Sequence, residues 1–114
     1  LDAPVAFPGV GGRQWRPKNF SRSYLGEITL RRSLALSKNI PAVRLLDTLG
    51  PAAVVSFAHR LGISSPLKPN LSLALGTSEV SLLELTGAYA VFANAGRAVP
   101  PFAVQEVVGP DGRV

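Results

Sequence analysis

The sequence predicts a mostly α-helical fold, with about four helices followed by a C-terminal β-strand or hairpin. Apolar residues recur at helical spacing between residues 30 and 61. A strongly apolar stretch over residues 82–95 follows a serine with a glutamate three positions later, which is the spacing of a helix capping box. Residues 102–114 are rich in β-branched side chains and contain the turn signal Pro-Asp-Gly.

Composition indicates one modest folded domain. The chain has 114 residues, of which 46% are hydrophobic and 17% charged, so it is not expected to be disordered. One histidine and no cysteine leave almost no ligands for a metal, and no cofactor is expected. No apolar run reaches the roughly 18–20 residues of a membrane span. The chain starts with Leu1 and lacks signal-peptide features, so we expect an internal part of a longer protein.

The first part of the chain, residues 1–28, is rich in proline and glycine and predicts an extended arm with loops. Within it only Val5–Phe7 has the composition of a short strand. Trp15 is expected to anchor an ordered loop by packing against the rest of the chain.

Three helices are expected over residues 29–62. Thr29 is a suitable N-cap for a helix over 30–37. A second helix is expected to start at Pro41 and stop at Gly50, and a third to run from 51 to 62. The residue before a proline is disfavoured in helical conformation, so the predicted join between the first two helices is a bend at Ile40.

The second half of the chain predicts a loop, a helix and a strand. Residues 63–80 are expected to form a loop with a short irregular insertion at 71–75. Residues 81–96 predict a helix that is apolar on nearly all sides, and such a helix is usually a central one. A strand over 102–108, followed by a turn and the first residues of a returning strand, completes the prediction.

The corner Ser37–Asn39 between the first two helices holds the polar side chains of interest. Such residues are common at helix ends, where they cap the helix or contact solvent. The functional alternative is serine-based acyl transfer, in which a hydroxyl near an ammonium relays a proton and an amide holds a carbonyl or a lysine. Composition alone leaves both interpretations open.

Longer patterns resemble the transpeptidase domain of class A penicillin-binding proteins, nearly from end to end and in order. The stretches that carry the resemblance are Trp15-x-Pro17-x-Asn19, Tyr24-x-Gly26-Glu-Ile-Thr29-Leu-Arg31, Ser33-Leu-x-x-Ser37-Lys38-Asn39-Ile-Pro-Ala-Val43, the run from Leu71 to Ser81, and Ala88-Tyr-Ala-x-Phe-Ala-Asn94-x-Gly96. The opening Leu1-Asp2-Ala-Pro4 resembles the segment that follows the nucleophile helix in that family. The resemblance implies a helical subdomain fragment of the α/β β-lactamase/transpeptidase-like fold.

That family uses three catalytic motifs, S-x-x-K, S-x-N and K-T-G. Only the second maps onto this chain. By resemblance, Ser37 carries a proton between the lysine of the first motif and the leaving amine. Asn39 orients that lysine and the peptide carbonyl of the substrate, while Lys38 fills the variable position and points away.

The other two motifs are not expected in this chain. Ser65-Pro-Leu-Lys68 matches S-x-x-K literally, but Lys68 precedes Pro69, which disfavours the helix that the pair requires. No lysine is followed by Thr-Gly or Ser-Gly. We therefore expect these 114 residues alone to be inactive and not to be labelled by penicillin.

The resemblance also implies the setting of the parent protein. It would be a serine D-Ala–D-Ala transpeptidase, bifunctional with a glycosyltransferase domain, which acts on peptidoglycan stem peptides and is trapped by β-lactams. It would be periplasmic and anchored to the cytoplasmic membrane by a segment outside this chain. An uncovered apolar helix at 81–96 predicts self-association of the chain by itself.

A small basic helix-turn-helix module is the second function class. The net charge of +5 and the helices over 41–49 and 51–61 would permit it. A DNA-reading helix needs Arg, Asn or Gln along one exposed face, and residues 54–59 do not supply one. His59 is expected to be a helix-end residue rather than a catalytic base. Nucleic acid is therefore not expected as a partner.

Overall fold

The mostly α-helical class is confirmed by the computed structural model, which describes residues 1–114 apart from the side chain of Val10. Two short strands come first, β1 (Phe7–Pro8) and β2 (Gln14–Trp15). The helices that follow are α1 (Leu30–Ala35), α2 (Asn39–Leu49), α3 (Pro51–Arg60) and α4 (Leu82–Ala93). Short 3₁₀ helices occupy Val10–Gly12 and Leu71–Leu75.

The chain divides into two compact units. The first consists of Leu1–Phe57 with Pro66–Glu79, and the second of Ala58–Ser65 with Val80–Val114. Helix α3 begins in the first unit and ends in the second. The corner between α1 and α2 belongs entirely to the first unit.

The arm of the first unit is held by short backbone pairings. Strands β1 and β2 are antiparallel, with Phe7 opposite Trp15, and the centroids of these two rings lie 6.1 Å apart. Trp15 therefore packs inside the arm, as expected. An isolated antiparallel bridge joins Asp2 to Gly26, so the two ends of the arm meet. The sequence predicted a strand only at Val5–Phe7 and missed the partner strand β2.

Helix α2 carries the apolar core of the first unit. Ile40, Val43 and Leu46 are buried and lie on one side of the helix. The 3₁₀ helix Leu71–Leu75 packs against α2. Burial of such side chains contributes about 1.5–3 kcal/mol each, which makes α2 the main support of this unit.

Local signals set several helix ends as expected, although α1 and α4 each end two to three residues earlier than predicted. The Thr29 hydroxyl accepts a hydrogen bond from the Arg32 amide at 3.2 Å, which caps α1. Helix α2 ends before Gly50, whose φ of +85° favours glycine. Residues 71–75, expected to be irregular, form a 3₁₀ helix.

The predicted bend at Ile40 is wrong. Helix α2 begins at Asn39, so Ile40 is helical although it precedes Pro41. Pro41 lies in the first turn, where its missing N–H is not needed. Ile40 is fully buried, and its packing outweighs the local preference against helix. The bend lies instead at Ser37, with φ +51°.

Helix α4 belongs to the second unit and is largely exposed rather than buried in a core. The capping box is confirmed, since the Ser81 hydroxyl accepts from the Glu84 amide at 3.2 Å and Glu84 accepts from the Ser81 amide at 2.9 Å. Only Ala88 and Val91 of this helix are buried among the described residues. The large apolar side chains Leu82, Leu83, Leu85, Tyr89 and Phe92 are exposed.

The predicted strand over 102–108 is absent. These residues form no ladder with any described residue and are exposed. A strand needs a partner for its backbone groups, and the described part of this chain offers none there. The turn that was expected after it does form, with the Gly112 amide donating to the Gly109 carbonyl at 2.9 Å.

Among the described residues, no single helix is long and apolar enough to cross a bilayer. Helices α2 and α3 reach the required length and composition only as a pair, and they are bent by 93°.

Glu84 also ties the loop before α4 to the start of that helix. Its Oε1 accepts from the Ser64 amide at 2.7 Å and from the Ser65 amide at 2.8 Å, and its Oε2 accepts from the Ser65 hydroxyl at 2.6 Å. The hydroxyl of Ser64 donates to Oε1 as well. The hydrogen bonds from Ser64, Ser65 and Ser81 together hold the pKa of Glu84 far below its ordinary value of 4.5.

We predict that Glu84→Gln lowers the melting temperature at neutral pH and weakens its acid dependence. Because the folded pKa is depressed, the ionised carboxylate stabilises the fold above about pH 4.5 and loses this effect as pH falls further. Thermal unfolding followed by circular dichroism over acid to neutral pH measures this. Glu106→Gln, at an exposed position, is the matched control. Equal acid profiles for Glu84→Gln and the natural chain would contradict the prediction.

Candidate functional site

The turn Ser37–Asn39 is shaped by the way α1 ends. The Lys38 amide donates to the Ser33 carbonyl and the Ser37 amide to the Leu34 carbonyl, both at 3.0 Å. This pair of bonds is the Schellman arrangement, in which the residue after the helix adopts the left-handed conformation. Glycine is usual there, whereas Ser37 holds a φ of +51° at a cost of about 1–2 kcal/mol.

Ser37 is an exposed residue at the edge of a groove. Among the described residues, none forms a hydrogen bond with its Oγ. The groove has a volume of about 430 Å³, and its lining is mainly apolar. Its walls come from α1, from α2 and from the 3₁₀ helix, with Leu34, Leu45 and Leu75 among the apolar members.

Asn39 shares this groove and is half-buried. Its Nδ2 donates to the Lys18 carbonyl at 2.8 Å, which fixes the carboxamide against the arm. A primary amide has a second N–H and an acceptor oxygen, so one donor and the oxygen remain for other groups. The Asn39 side chain is therefore anchored and still able to bind.

Lys38 is directed to the arm. Its Nζ lies 3.6 Å from Asp2 Oδ2 and donates to the Ser21 hydroxyl at 3.3 Å and the Ser23 carbonyl at 3.4 Å. Its side chain is only 9% exposed. The ammonium therefore has a structural role beside the turn rather than a contact with the Ser37 hydroxyl.

Asp2 is a fully buried acid beside the turn. Burial raises its pKa, but hydrogen bonds from Asn19 and from the Leu25 amide, together with the charge of Lys38, lower it by more. The net result is a pKa below the ordinary value of 3.8, so Asp2 is ionised at neutral pH.

The arrangement offers proton relay and amide binding but no activated nucleophile. A serine hydroxyl needs a base within hydrogen-bond reach to attack a carbonyl. No described lysine, histidine or carboxylate hydrogen-bonds Ser37 Oγ. The part of the chain that the structure describes also holds no group of three His, Cys, Asp or Glu residues that could bind a metal.

The other residues considered from the sequence have structural roles. His59 Nδ1 pairs with the Ile63 carbonyl at 2.6 Å at the end of α3, which agrees with a helix-end histidine. Ser65 lies in a loop, where its hydroxyl is bound to Glu84, and Lys68 follows outside any helix. The literal S-x-x-K match therefore lacks the helical turn that its chemistry requires.

Sequence reasoning missed what Asn19 and Asp2 do, although both lie in stretches that carry the resemblance. Both are buried polar residues that contact the turn. One signal was available, since Lys38 precedes α2 and a lysine side chain cannot accept hydrogen bonds from the first helical amides. A remote acceptor was therefore required, but the sequence does not identify which residue supplies it.

Comparisons with known proteins agree on one family. Residues 8–113 match the family described as the penicillin-binding protein transpeptidase domain. Penicillin-binding protein 1A of Neisseria cinerea is 41% identical over 116 aligned residues, covering 99% of this chain and 14% of that protein. The Aquifex aeolicus protein of the same name is 46% identical, covering 90% of this chain and again 14% of the relative.

A solved structure is similar as well. The crystal structure of penicillin-binding protein 1A from Haemophilus influenzae superposes with a TM-score of 0.90 at 34% identity. The match covers 98% of this chain and 17% of that one. The chain thus spans only a small part of the curated relatives it matches, 14% of the length of the Neisseria cinerea and Aquifex aeolicus proteins alike.

Proposed function

The chain belongs to the penicillin-binding protein transpeptidase domain family, and we propose that it supplies the S-x-N wall of a serine D,D-transpeptidase site. The observation that carries the proposal is the position of Ser37 and Asn39 together at the edge of one groove, on a turn between two helices. The nucleophile and the third motif would come from other parts of a longer protein, since this chain spans only 14% of the length of the Neisseria cinerea relative.

In the proposed reaction, a serine of S-x-x-K attacks the carbonyl of the D-Ala–D-Ala bond of a stem peptide. The C–N bond breaks, the terminal D-Ala leaves as the amine, and an acyl-serine remains. The amine of a second strand then attacks the acyl-serine, forms the cross-link and returns the serine. β-Lactams acylate the same serine and stop at this stage.

Ser37 would pass the proton from the S-x-x-K lysine to the leaving amine. Its unbonded hydroxyl supports this role, because proton relay requires Oγ to accept from one partner and donate to another. Asn39 would use its oxygen to hold that lysine and its remaining N–H to hold the peptide carbonyl. The bond from Nδ2 to the Lys18 carbonyl supports such a role by restricting the carboxamide.

The whole protein would be periplasmic, anchored to the cytoplasmic membrane by a segment outside this chain, and would also carry a glycosyltransferase domain. The class A resemblance and the relatives named penicillin-binding protein 1A support this proposal. The family assignment does not support a nucleic-acid-binding module, which is not proposed.

We expect Ser37→Gly in the full-length protein to reduce acylation by penicillin about 10²- to 10⁴-fold, the usual effect of losing a positioned proton-transfer group. Glycine removes the hydroxyl and favours the left-handed conformation, so the fold should be as stable or more stable. Acylation is measured by labelling with a fluorescent penicillin over time, and stability by thermal unfolding.

Ser56→Ala, at an exposed position of α3, is the matched control and should label at the natural rate. Natural labelling rates in Ser37→Gly would refute the assigned role of Ser37.

The 114-residue chain alone is expected to form no covalent adduct with a β-lactam, because it has no K-T-G motif and its literal S-x-x-K match lies outside any helix. Mass spectrometry after prolonged incubation checks this, with the full-length protein as the positive control. A stoichiometric acyl adduct on the isolated chain would show that the nucleophile lies within it.

The isolated chain is also expected to self-associate through α4. Leu82, Tyr89 and Phe92 are 80%, 68% and 66% exposed, and an apolar patch of this kind favours association. Light scattering at tens of micromolar should give a mass above that of a monomer. Leu82→Gln with Phe92→Gln should lower the mass, whereas Val104→Gln and Val107→Gln in the exposed tail should have a smaller effect. A monomeric natural chain would contradict the proposal.

A further inference from the structure

We propose that Asn19, held by Asp2, is a positioning residue that sets the geometry of the Ser37–Asn39 turn. It caps α2 from a distance and so determines where the Ser37 hydroxyl and the Asn39 carboxamide lie. The effect on activity rests on the function proposed above, whereas the effect on the turn can be measured independently.

The first step is that α2 needs an acceptor its own cap residue cannot supply. The first amides of a helix lack partners within it, and a serine, threonine, aspartate or asparagine at the cap usually accepts from them. Lys38 occupies that place, and its side chain has no acceptor atom. Instead, Asn19 Oδ1 accepts from the Asn39 amide at 3.0 Å and from the Ile40 amide at 3.2 Å.

The second step is that the Asn19 side chain has no freedom to reorient. Its Nδ2 donates to Asp2 Oδ1 at 2.6 Å and to the Ser23 carbonyl at 2.9 Å. With the two bonds accepted by Oδ1, both N–H groups and both lone pairs of the carboxamide are used. The residue is only 3% exposed, so water does not compete for these bonds.

The third step is that Asp2 connects this cap to the other side of the turn. Its Oδ2 lies 3.6 Å from Lys38 Nζ and accepts from the Leu25 amide at 3.0 Å. Its backbone exchanges two hydrogen bonds with Gly26, at 2.7 and 3.0 Å. Through Asp2 and Asn19 the arm therefore holds Lys38 by its side chain and Asn39 by its backbone.

The consequence follows from the conformation of Ser37. A non-glycine residue with positive φ persists only where its surroundings determine the backbone on both sides. The Schellman bonds do so on the α1 side, and Asn19 does so on the α2 side. A displacement of about 1 Å at a reacting group can cost about 10²-fold in rate, so loosening one side should be measurable.

The test is Asn19→Asp in the full-length protein. It keeps the size of the side chain but places a second carboxylate against Asp2, which is 2.6 Å from the present Nδ2. We expect the acylation rate constant at saturating penicillin to fall about 10- to 100-fold, with little change in the preceding non-covalent affinity. The difference in acylation rate between the variant and the natural protein should narrow as pH falls, because a proton shared by the carboxylates at positions 2 and 19 restores their hydrogen bond.

The exchanged pair Asp2→Asn with Asn19→Asp provides the rescue. Asn at position 2 can donate to the new carboxylate and accept from the Leu25 amide, and the carboxylate can cap α2. We expect most of the lost rate to return, although the bond to the Ser23 carbonyl is not remade. Asn94→Asp, the same chemical change at an exposed helix end, should leave the rate unchanged.

Hydrogen exchange at the Asn39 and Ile40 amides gives the readout that needs no activity. Exchange should accelerate in Asn19→Asp and slow again in the exchanged pair. If the natural protein is labelled by penicillin and Asn19→Asp shows the same acylation rate and the same amide exchange, the inference is overturned. If the natural protein is not labelled by penicillin, the proposed function is overturned. The inference is then decided by whether amide exchange at Asn39 and Ile40 accelerates in Asn19→Asp.

If Asn19→Asp does not fold, Asp2→Asn replaces it in the comparison. That variant keeps the cap on α2 but removes the charge beside Lys38 and sets one N–H against the Leu25 amide. A severalfold fall in the acylation rate is expected, and an unchanged rate would overturn the inference.

Discussion

The N-terminus of helix α2 needs hydrogen-bond acceptors, and the structure of the first unit depends on how that need is met. The helix carries the buried side chains of this unit, so it must start at a defined place. Its cap position holds Lys38, whose side chain has no acceptor, and Asn19 supplies one from 20 residues before Asn39. The arm therefore closes back on the start of α2, and the bridge between Asp2 and Gly26 keeps it closed. Asn19 thus supplies, through a contact distant in sequence, the acceptor that the Lys38 side chain lacks. The Ser37–Asn39 turn lies at this contact.

The parts of the fold that were predictable are those whose causes are local. The caps at Thr29 and Ser81 act over three residues, and glycine after α2 relieves a backbone conformation at a single position. The failures have non-local causes. Ile40 is helical because its burial outweighs the preference imposed by the next proline. The strand over 102–108 is absent because pairing needs a second strand, and the apolar pattern that predicted it does not supply one.

The residues of the candidate site and its place between two helices were predictable, whereas the detailed backbone geometry of the turn was not. Ser37 and Asn39 were chosen because they match a motif, and the structure places both on one groove. Nothing in the motif shows that Ser37 is left-handed, since that depends on the Schellman bonds and on the position at which α2 begins. The role of Asn19 depends on four hydrogen bonds, three of them to residues distant in sequence, which no spacing pattern contains.

Some polar side chains of this chain are held by several hydrogen bonds, whereas the Ser37 hydroxyl forms none with the described residues. Asn19 and Asp2 use their side-chain groups on one another and on the backbone, and Glu84 does the same in the second unit. Such groups are costly to reorient because each bond would have to break in a buried or crowded place. The Ser37 hydroxyl has no such bond to the described residues, so rotation about its side chain is inexpensive. A proton relay requires both properties, a backbone that does not move and a hydroxyl that turns between two partners. For the relay proposed for Ser37, the hydrogen bonds around the turn hold the backbone, and the unbonded hydroxyl remains able to rotate.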